Sequence, residues 1–141
     1  MSSPPLCGVV LVTHGHYGTK LVAAVKSIVG ELDVSTLEMD LGADINQQRI
    51  LLSSIAAHQD RGAGVLFIAD ICGSTPANLC LELIQKNPKW ELLTGLSFAM
   101  LIKLATCNRQ VTSQVLAQEL QHTARKSIAR SHELSGCMMN S

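Results

Sequence analysis

His14 and Asp70 are the residues of this chain best placed to do chemistry. His14 follows Val9-Val10-Leu11-Val12-Thr13 and precedes Gly15-His16. Asp70 closes Val65-Leu66-Phe67-Ile68-Ala69 and precedes Ile71-Cys72-Gly73-Ser74-Thr75-Pro76. Short apolar runs bounded by turn signals read as buried parallel strands. In open α/β sheets, ligands sit outside the carboxyl ends of the strands. The pattern therefore delivers an imidazole and a carboxylate to that edge. A carboxylate that accepts one ring N–H fixes the tautomer and leaves the other nitrogen free as a nucleophile.

A lone histidine at a strand end is ordinarily a polar cap bonded to the backbone. Three features favour chemistry here. His14 interrupts an aliphatic run that a plain core would continue. Gly15 permits a tight turn and close approach of a ligand. Asp70 needs a partner if buried, and a ring N–H of His14 is the simplest one. The stretch Gly73-Ser74-Thr75-Pro76 reads as a helix start, with Thr75 as N-cap and Pro76 as first helical residue. Helix N-termini bind anions through free N–H groups and the macrodipole. Glycine and two hydroxyls beside a nucleophilic histidine make a phosphate-shaped site.

Other candidates are weaker. His16 forms His-x-His with His14, but side chains so spaced on a turn splay apart, and no fourth ligand is evident for a metal. No basic residue flanks Cys72 to activate it. His58 and His122 fall on helix surfaces. With no Gly-x-Gly-x-x-Gly and no P-loop, neither a nucleotide nor another cofactor is expected.

The elements that must position these residues alternate. Residues 7–13 read as a strand. Tyr17–Val29 reads as a helix with Leu21, Val22, Val25, Ile28 and Val29 inward, closed by Gly30. Val34–Asp40 is a second strand. Asp44 caps a helix reaching about Asp60 or Arg61, with Gln47 completing a capping-box-like pattern. Gly62-Ala63-Gly64 breaks the chain before strand three, Val65–Asp70. A helix runs from Pro76 to about Lys86, and Asn87-Pro88 stops it. Trp90–Thr94 is a short strand and Ser97–Thr106 a helix. Val115, Leu116, Leu120, Ala124 and Ile128 form an apolar stripe on a last helix near Thr112–Arg130. The tail from Ser131 reads as frayed. This order implies an α/β fold: an open, mostly parallel sheet of four or five strands, with helices on both faces.

Composition agrees. The 141 residues suffice for one domain with a full core, about residues 7–130. Apolar content is 47% and charged content 16%, which fits a well-buried globular chain. Net charge is zero, and neither half carries the basic excess that nucleic-acid binding needs. No apolar run reaches the roughly 18 residues of a membrane span. The N-terminus lacks the charged region of a signal peptide, so the cytoplasm is the expected location. Five widely spaced cysteines, Cys7, Cys72, Cys80, Cys107 and Cys137, argue against a disulfide framework.

The stretches GVVLVTHGHYG and GVLFIADICGSTPAN together resemble the mannose family of IIA components of the bacterial phosphoenolpyruvate:sugar phosphotransferase system (PTS). That family has a strand ending in Thr/Ser-His-Gly. A second strand ends in Asp, followed by a Gly-rich turn, Ser/Thr-Pro and Asn. The resemblance covers roughly residues 7–130. It implies that His14 is the phosphorylated histidine and Asp70 the acid that orients it. Gly15, Gly73, Ser74 and Thr75 would then surround the phosphoryl group. It implies a donor, the carrier protein HPr, an acceptor of IIB type, here a separate protein, and a homodimer formed through about Ser97–Thr112. Three positions depart from the family pattern: Cys72 stands where a large aromatic is common, Ala77 where a bulkier apolar residue is, and Ser74 where glycine is frequent. Two other readings share the chemistry or the domain. One is the phosphocarrier subunit of phosphoenolpyruvate-dependent dihydroxyacetone kinase, whose turn is usually Ser-His-Ser. The other is a regulatory module read by its phosphorylation state.

Overall fold

The computed structural model describes residues 4–134. Four parallel strands, β1 (Leu6–His14), β2 (Ser35–Met39), β3 (Gly62–Ala69) and β4 (Glu91–Thr94), form one sheet in the order β2-β1-β3-β4. Five α-helices connect or follow them: α1 (Tyr17–Val29), α2 (Ile45–Gln59), α3 (Thr75–Lys86), α4 (Phe98–Thr106) and α5 (Ser113–Ser127). The expected α/β fold is present, with four strands among the described residues.

The central strands β1 and β3 are apolar throughout because helices cover both of their faces. Successive side chains point to opposite sides. Val9, Leu11, Leu66 and Ile68 pack with α1, α4 and α5 through Val25, Met100, Leu101, Leu104, Leu116 and Leu120. Val10, Val12, Val65 and Phe67 pack with α2 and α3 through Leu52, Ala56, Leu79 and Cys80. On that second face Phe67 meets Trp90 edge-on, ring centroids 5.7 Å apart. Leaving β1, the chain enters a helix on the first face; leaving β3, it enters one on the second. β1 and β3 are neighbours, so a crevice opens between their carboxyl ends, which is where doubly wound sheets bind ligands.

Local expectations were met where capping is unambiguous. Asp44 caps α2, its carboxylate accepting from the Asn46 and Gln47 N–H groups at 2.9 and 3.4 Å. Ser97 and Thr112 cap α4 and α5. Several details differ. Gly62-Ala63-Gly64 does not break the chain; it begins β3, where Gly62 pairs with Leu6. Gly64 has φ +91°, and the Lys89 carbonyl oxygen lies 2.2 Å from where a Cβ would stand. A side chain is excluded there, so the glycine serves close packing inside a strand. Ile28, Val115 and Ile128, placed on inward faces from sequence, are exposed. The stripe that α5 buries is Leu116, Ala117 and Leu120. α5 ends at Ser127, and Ser131–Glu133 then form one 3₁₀ turn, Glu133 accepting from the Arg130 N–H at 3.1 Å. The rest of the expected frayed tail, 135–141, and Cys137 with it, lies outside the described residues.

Candidate functional site

The last residue of β1 and the residue after β3 meet at the crevice. His14 Nδ1 lies 2.8 Å from Asp70 Oδ2. The backbone N–H of His14 donates to the same oxygen, also at 2.8 Å. The other oxygen, Oδ1, accepts from the Ile71 N–H at 2.9 Å. Burial alone would raise the carboxyl pKa; the two contacts from His14, its charge, and the Ile71 N–H outweigh it and hold Asp70 below the usual carboxylate range. A charged carboxylate only accepts, so the ring nitrogen facing it is Nδ1–H. In the neutral ring Nε2 then carries the lone pair. The Asp70 side chain is 8% exposed and that of His14 53%: the acid is sheltered and the imidazole reachable.

The turn beyond His14 is held from three sides. Gly15 takes φ +51°, a left-handed conformation that glycine adopts without strain, and its N–H donates to the Met39 carbonyl at 3.0 Å. Thr13, buried, accepts the Gly18 N–H on its hydroxyl at 3.0 Å, fastening the start of α1 to β1. Tyr17 donates its hydroxyl to the Leu96 carbonyl at 2.9 Å.

Of the four residues expected around a phosphoryl group, Gly15 and Thr75 line one open cleft of about 400 Å³ together with His14. Gly73 and Ser74 lie in the turn just before it. Their roles divide in a way the sequence did not foresee. Ser74, not Thr75, is the N-cap of α3: its hydroxyl accepts from the Ala77 N–H at 3.3 Å and donates to the Ile71 carbonyl at 2.8 Å. Its oxygen is thus committed to the helix. Thr75 is exposed in the first turn, with its hydroxyl available to a ligand. The N–H groups of Gly73, Ser74 and Thr75 find no acceptor among the described residues. They form the unsatisfied positive end of α3.

Sequence reasoning missed the walls of the crevice. The β2–α2 loop, Asp40 to Ala43, lines the cleft on one side of His14, with Ile45 behind it. Tyr17, Ile71 and Leu96 line a second opening that His14 and Asp70 share. Leu41 and Ile71 are exposed apolar residues at these two rims. The one local sign was an apolar residue, Leu41, set between Asp40 and Gly42 in a turn. Also unforeseen was the partner of His16: its Nδ1 lies 2.6 Å from Glu38 Oε2. The two histidines of His-x-His thus serve different carboxylates. Cys72 is exposed in the same loop, whereas burial pushes the Cys80 thiol up to about 12.

The architecture has close counterparts. The fold matches the mannose/sorbose specific IIA subunit of the phosphotransferase system from Enterococcus faecalis at a TM-score of 0.80 and 24% identity, over 89% of this chain and 94% of that one. It matches the PTS IIA protein associated with the fucose utilization operon from Streptococcus pneumoniae at 0.80 and 20% identity, over 96% and 100%. In sequence, a protein of Escherichia coli (strain K12), YadI, named as a candidate phosphotransferase enzyme IIA component, is 27% identical over 66 residues. That match spans 46% of this chain and 45% of the relative, less than half of either. The profile of one family, described as PTS system fructose IIA component (EIIA-man), matches residues 8–121. No described helix is long and apolar enough to cross a membrane. With a match from the first strand to the closing helix, the chain belongs to the IIA family of the phosphotransferase system.

Proposed function

We propose that the protein is a mannose-type IIA domain that accepts a phosphoryl group from phospho-HPr on His14 and passes it to a separate IIB-type protein, in sugar uptake or in PTS-linked regulation. The observation that carries this reading is the His14–Asp70 pair at 2.8 Å, with the acid sheltered and the imidazole exposed.

The lone pair of Nε2 attacks phosphorus in line. The Nε2–P bond forms as the bond from phosphorus to the donor breaks, and the donor keeps that electron pair. The Nδ1 proton stays on the ring, bonded to Asp70, which offsets the positive charge the imidazole acquires. The Thr75 hydroxyl and the open N–H groups of Gly73, Ser74 and Thr75 receive phosphoryl oxygens, so positioning and electrostatics supply most of the catalysis. Transfer onward is the same displacement in reverse, with the acceptor in the donor's place. Both carriers must dock on the rim of the crevice, where Leu41 and Ile71 offer apolar contact.

We also propose that two copies associate. β4 is only four residues long and, among the described residues, pairs with β3 alone, which leaves its outer edge open to a further strand. The segment between β4 and α5 contains α4, on which Phe98 is an exposed aromatic residue. Light scattering at micromolar concentration tests this, and a strict monomer rejects it. The phosphoryl reading is tested by incubation with phosphoenolpyruvate, enzyme I and HPr. The expected result is an acid-labile mass gain of one phosphate on His14. Label that persists in His14→Ala rejects the assignment.

A further inference from the structure

The backbone ladder of the sheet does not hold His14 against Asp70. Between β1 and β2 the register runs to the last residue of β1, with His14 opposite Met39. Between β1 and β3 it stops earlier, at Val12 opposite Ala69. The Gly15 N–H is also bonded toward β2, on the Met39 carbonyl. His14 is therefore anchored on the β2 side. Asp70 is anchored on the other side. β3 stays paired with β4 up to Ala69 opposite Thr94, and past the end of β4 the Leu96 N–H donates to the Ala69 carbonyl at 3.1 Å. The imidazole and the carboxylate thus stand on opposite banks of a gap that opens where the β1–β3 ladder ends.

Among the described residues, hydrogen bonds cross this gap in two places. One is the His14–Asp70 pair itself. The other is Tyr17, the first residue of α1, whose hydroxyl donates to the Leu96 carbonyl at 2.9 Å. Leu96 therefore grips both banks, Ala69 with its N–H and Tyr17 with its carbonyl. It is buried, so both bonds end on a residue fixed in the core. On the far bank, the Gly18 N–H that follows Tyr17 is bonded to the Thr13 hydroxyl, which ties the start of α1 to the residue before His14. The Tyr17 ring also lines the opening that His14 and Asp70 share. We propose that Tyr17 is a positioning residue for phosphoryl transfer: its hydroxyl, strapped to Leu96, sets the spacing of the two banks and with it the bond that aims the His14 ring. This rests on His14 as the acceptor. The physical motive is the steep dependence of a hydrogen bond on distance and angle. In-line transfer demands the same precision, because a misplacement of about 1 Å can cost roughly 100-fold in rate. A phenylalanine would cover the same apolar surface, so the hydroxyl is the part of Tyr17 that carries this role.

The test is Tyr17→Phe, which keeps the ring and removes the strap. Rapid-quench transfer from phospho-HPr gives the maximal rate and the half-saturating donor concentration. Proton NMR of the unphosphorylated protein gives the exchange of the His14 Nδ1–H with water. The maximal rate should fall about threefold to tenfold, the scale of one neutral hydrogen bond. The half-saturating concentration should not change, and the Nδ1–H should exchange faster. Because the strap acts through the pair, adding Tyr17→Phe to Asp70→Ala should cost no more than Asp70→Ala alone. Losses that multiply overturn the inference. A lower thermal midpoint with rate and proton exchange unchanged also overturns it, since Tyr17 would then only tie the fold together. So does a raised half-saturating concentration at an unchanged maximal rate, which would place Tyr17 in docking. Each of these results leaves His14 as the acceptor. A wild type that takes no phosphate overturns both readings.

Discussion

Two imidazoles stand at the end of one strand, each with its Nδ1 on a carboxylate, yet the two pairs are built differently. Asp70 follows β3, a central strand, and is 8% exposed. It receives the Nδ1 and backbone N–H of His14 and the Ile71 N–H. Glu38 belongs to β2, an edge strand, and its partner His16 is 77% exposed. Both oxygens of Asp70 are occupied by groups whose positions the sheet dictates, so the His14 ring is fixed with the backbone. The His16 ring depends on two side chains near water, where such a pair contributes little to stability. The same bond thus holds one ring to the frame of the sheet and leaves the other tied only to a side chain near water.

The sharpest way to break this contrast is to remove each ring. His14→Ala should gain no phosphate from phosphoenolpyruvate, enzyme I and HPr, whereas His16→Ala should still gain one. Intact-protein mass read without acid treatment decides it. Loss of label in both variants, or in His16→Ala alone, would erase the distinction or invert it.

Removing each acid should separate the pairs by degree. Asp70→Ala should slow phosphoryl transfer about 10- to 100-fold, the range found when the partner that orients a functional histidine is lost. Glu38→Ala should change the rate by no more than several-fold, the scale of one exposed charge. Rapid-quench transfer from phospho-HPr to folded variants measures both. Equal losses would mean that Asp70 has no special hold on the ring.

The stronger pair was legible in the sequence and the weaker one was not. His14 and Asp70 each end an apolar run, and parallel strands bring such ends to one edge. Pairing Glu38 with His16 requires that β2 lie beside β1 in the register that sets Thr13 against Glu38. Twenty-odd residues of chain separate them, and no local pattern announces it. The cleft wall from Asp40 to Ile45 was hidden for the same reason. At Gly62 and Gly64 a local turn signal lost to tertiary packing, because the Lys89 carbonyl occupies the space a side chain would need. At the start of α3, Ser74 and Thr75 both suit a cap and Pro76 suits either of the first two helical positions. Sequence alone therefore divided the two hydroxyls one residue too late.

That division gives a third test, inside the better-built site. Ser74→Ala removes the α3 cap and should lower stability by about 1 kcal/mol, while folded molecules still accept phosphate. Thr75→Ala should leave the thermal midpoint near that of the wild type and slow transfer about tenfold, the effect of one hydrogen bond to a charged group of about 1.5 kcal/mol. Thermal unfolding and transfer rates on the same samples check the pair. Exchanged phenotypes would make Ser74 the phosphoryl contact.

The smallest expected effect is on acid stability, and it follows from the direction in which Asp70 is shifted. Its ordinary value is 3.8 and the folded value lies lower, because the N–H groups of His14 and Ile71 and the His14 charge outweigh burial. Protons therefore bind the unfolded chain more readily than the folded one around this pH. The stabilisation is fully present above the unfolded value and is lost as pH falls through the folded value. Asp70→Asn carries no such charge, so the gap in urea midpoint between wild type and variant should hold steady above about pH 5 and shrink below about pH 4. Glu38 is also held low, and Glu38→Gln should show the same sign. It should be weaker, because the exposed pair is screened by water and salt. A gap for Asp70→Asn that stays constant down to pH 2 would place Asp70 outside the acid response. A larger acid response in Glu38→Gln would reverse the ranking of the two pairs, since linkage measures how much more strongly each carboxylate is held in the folded state.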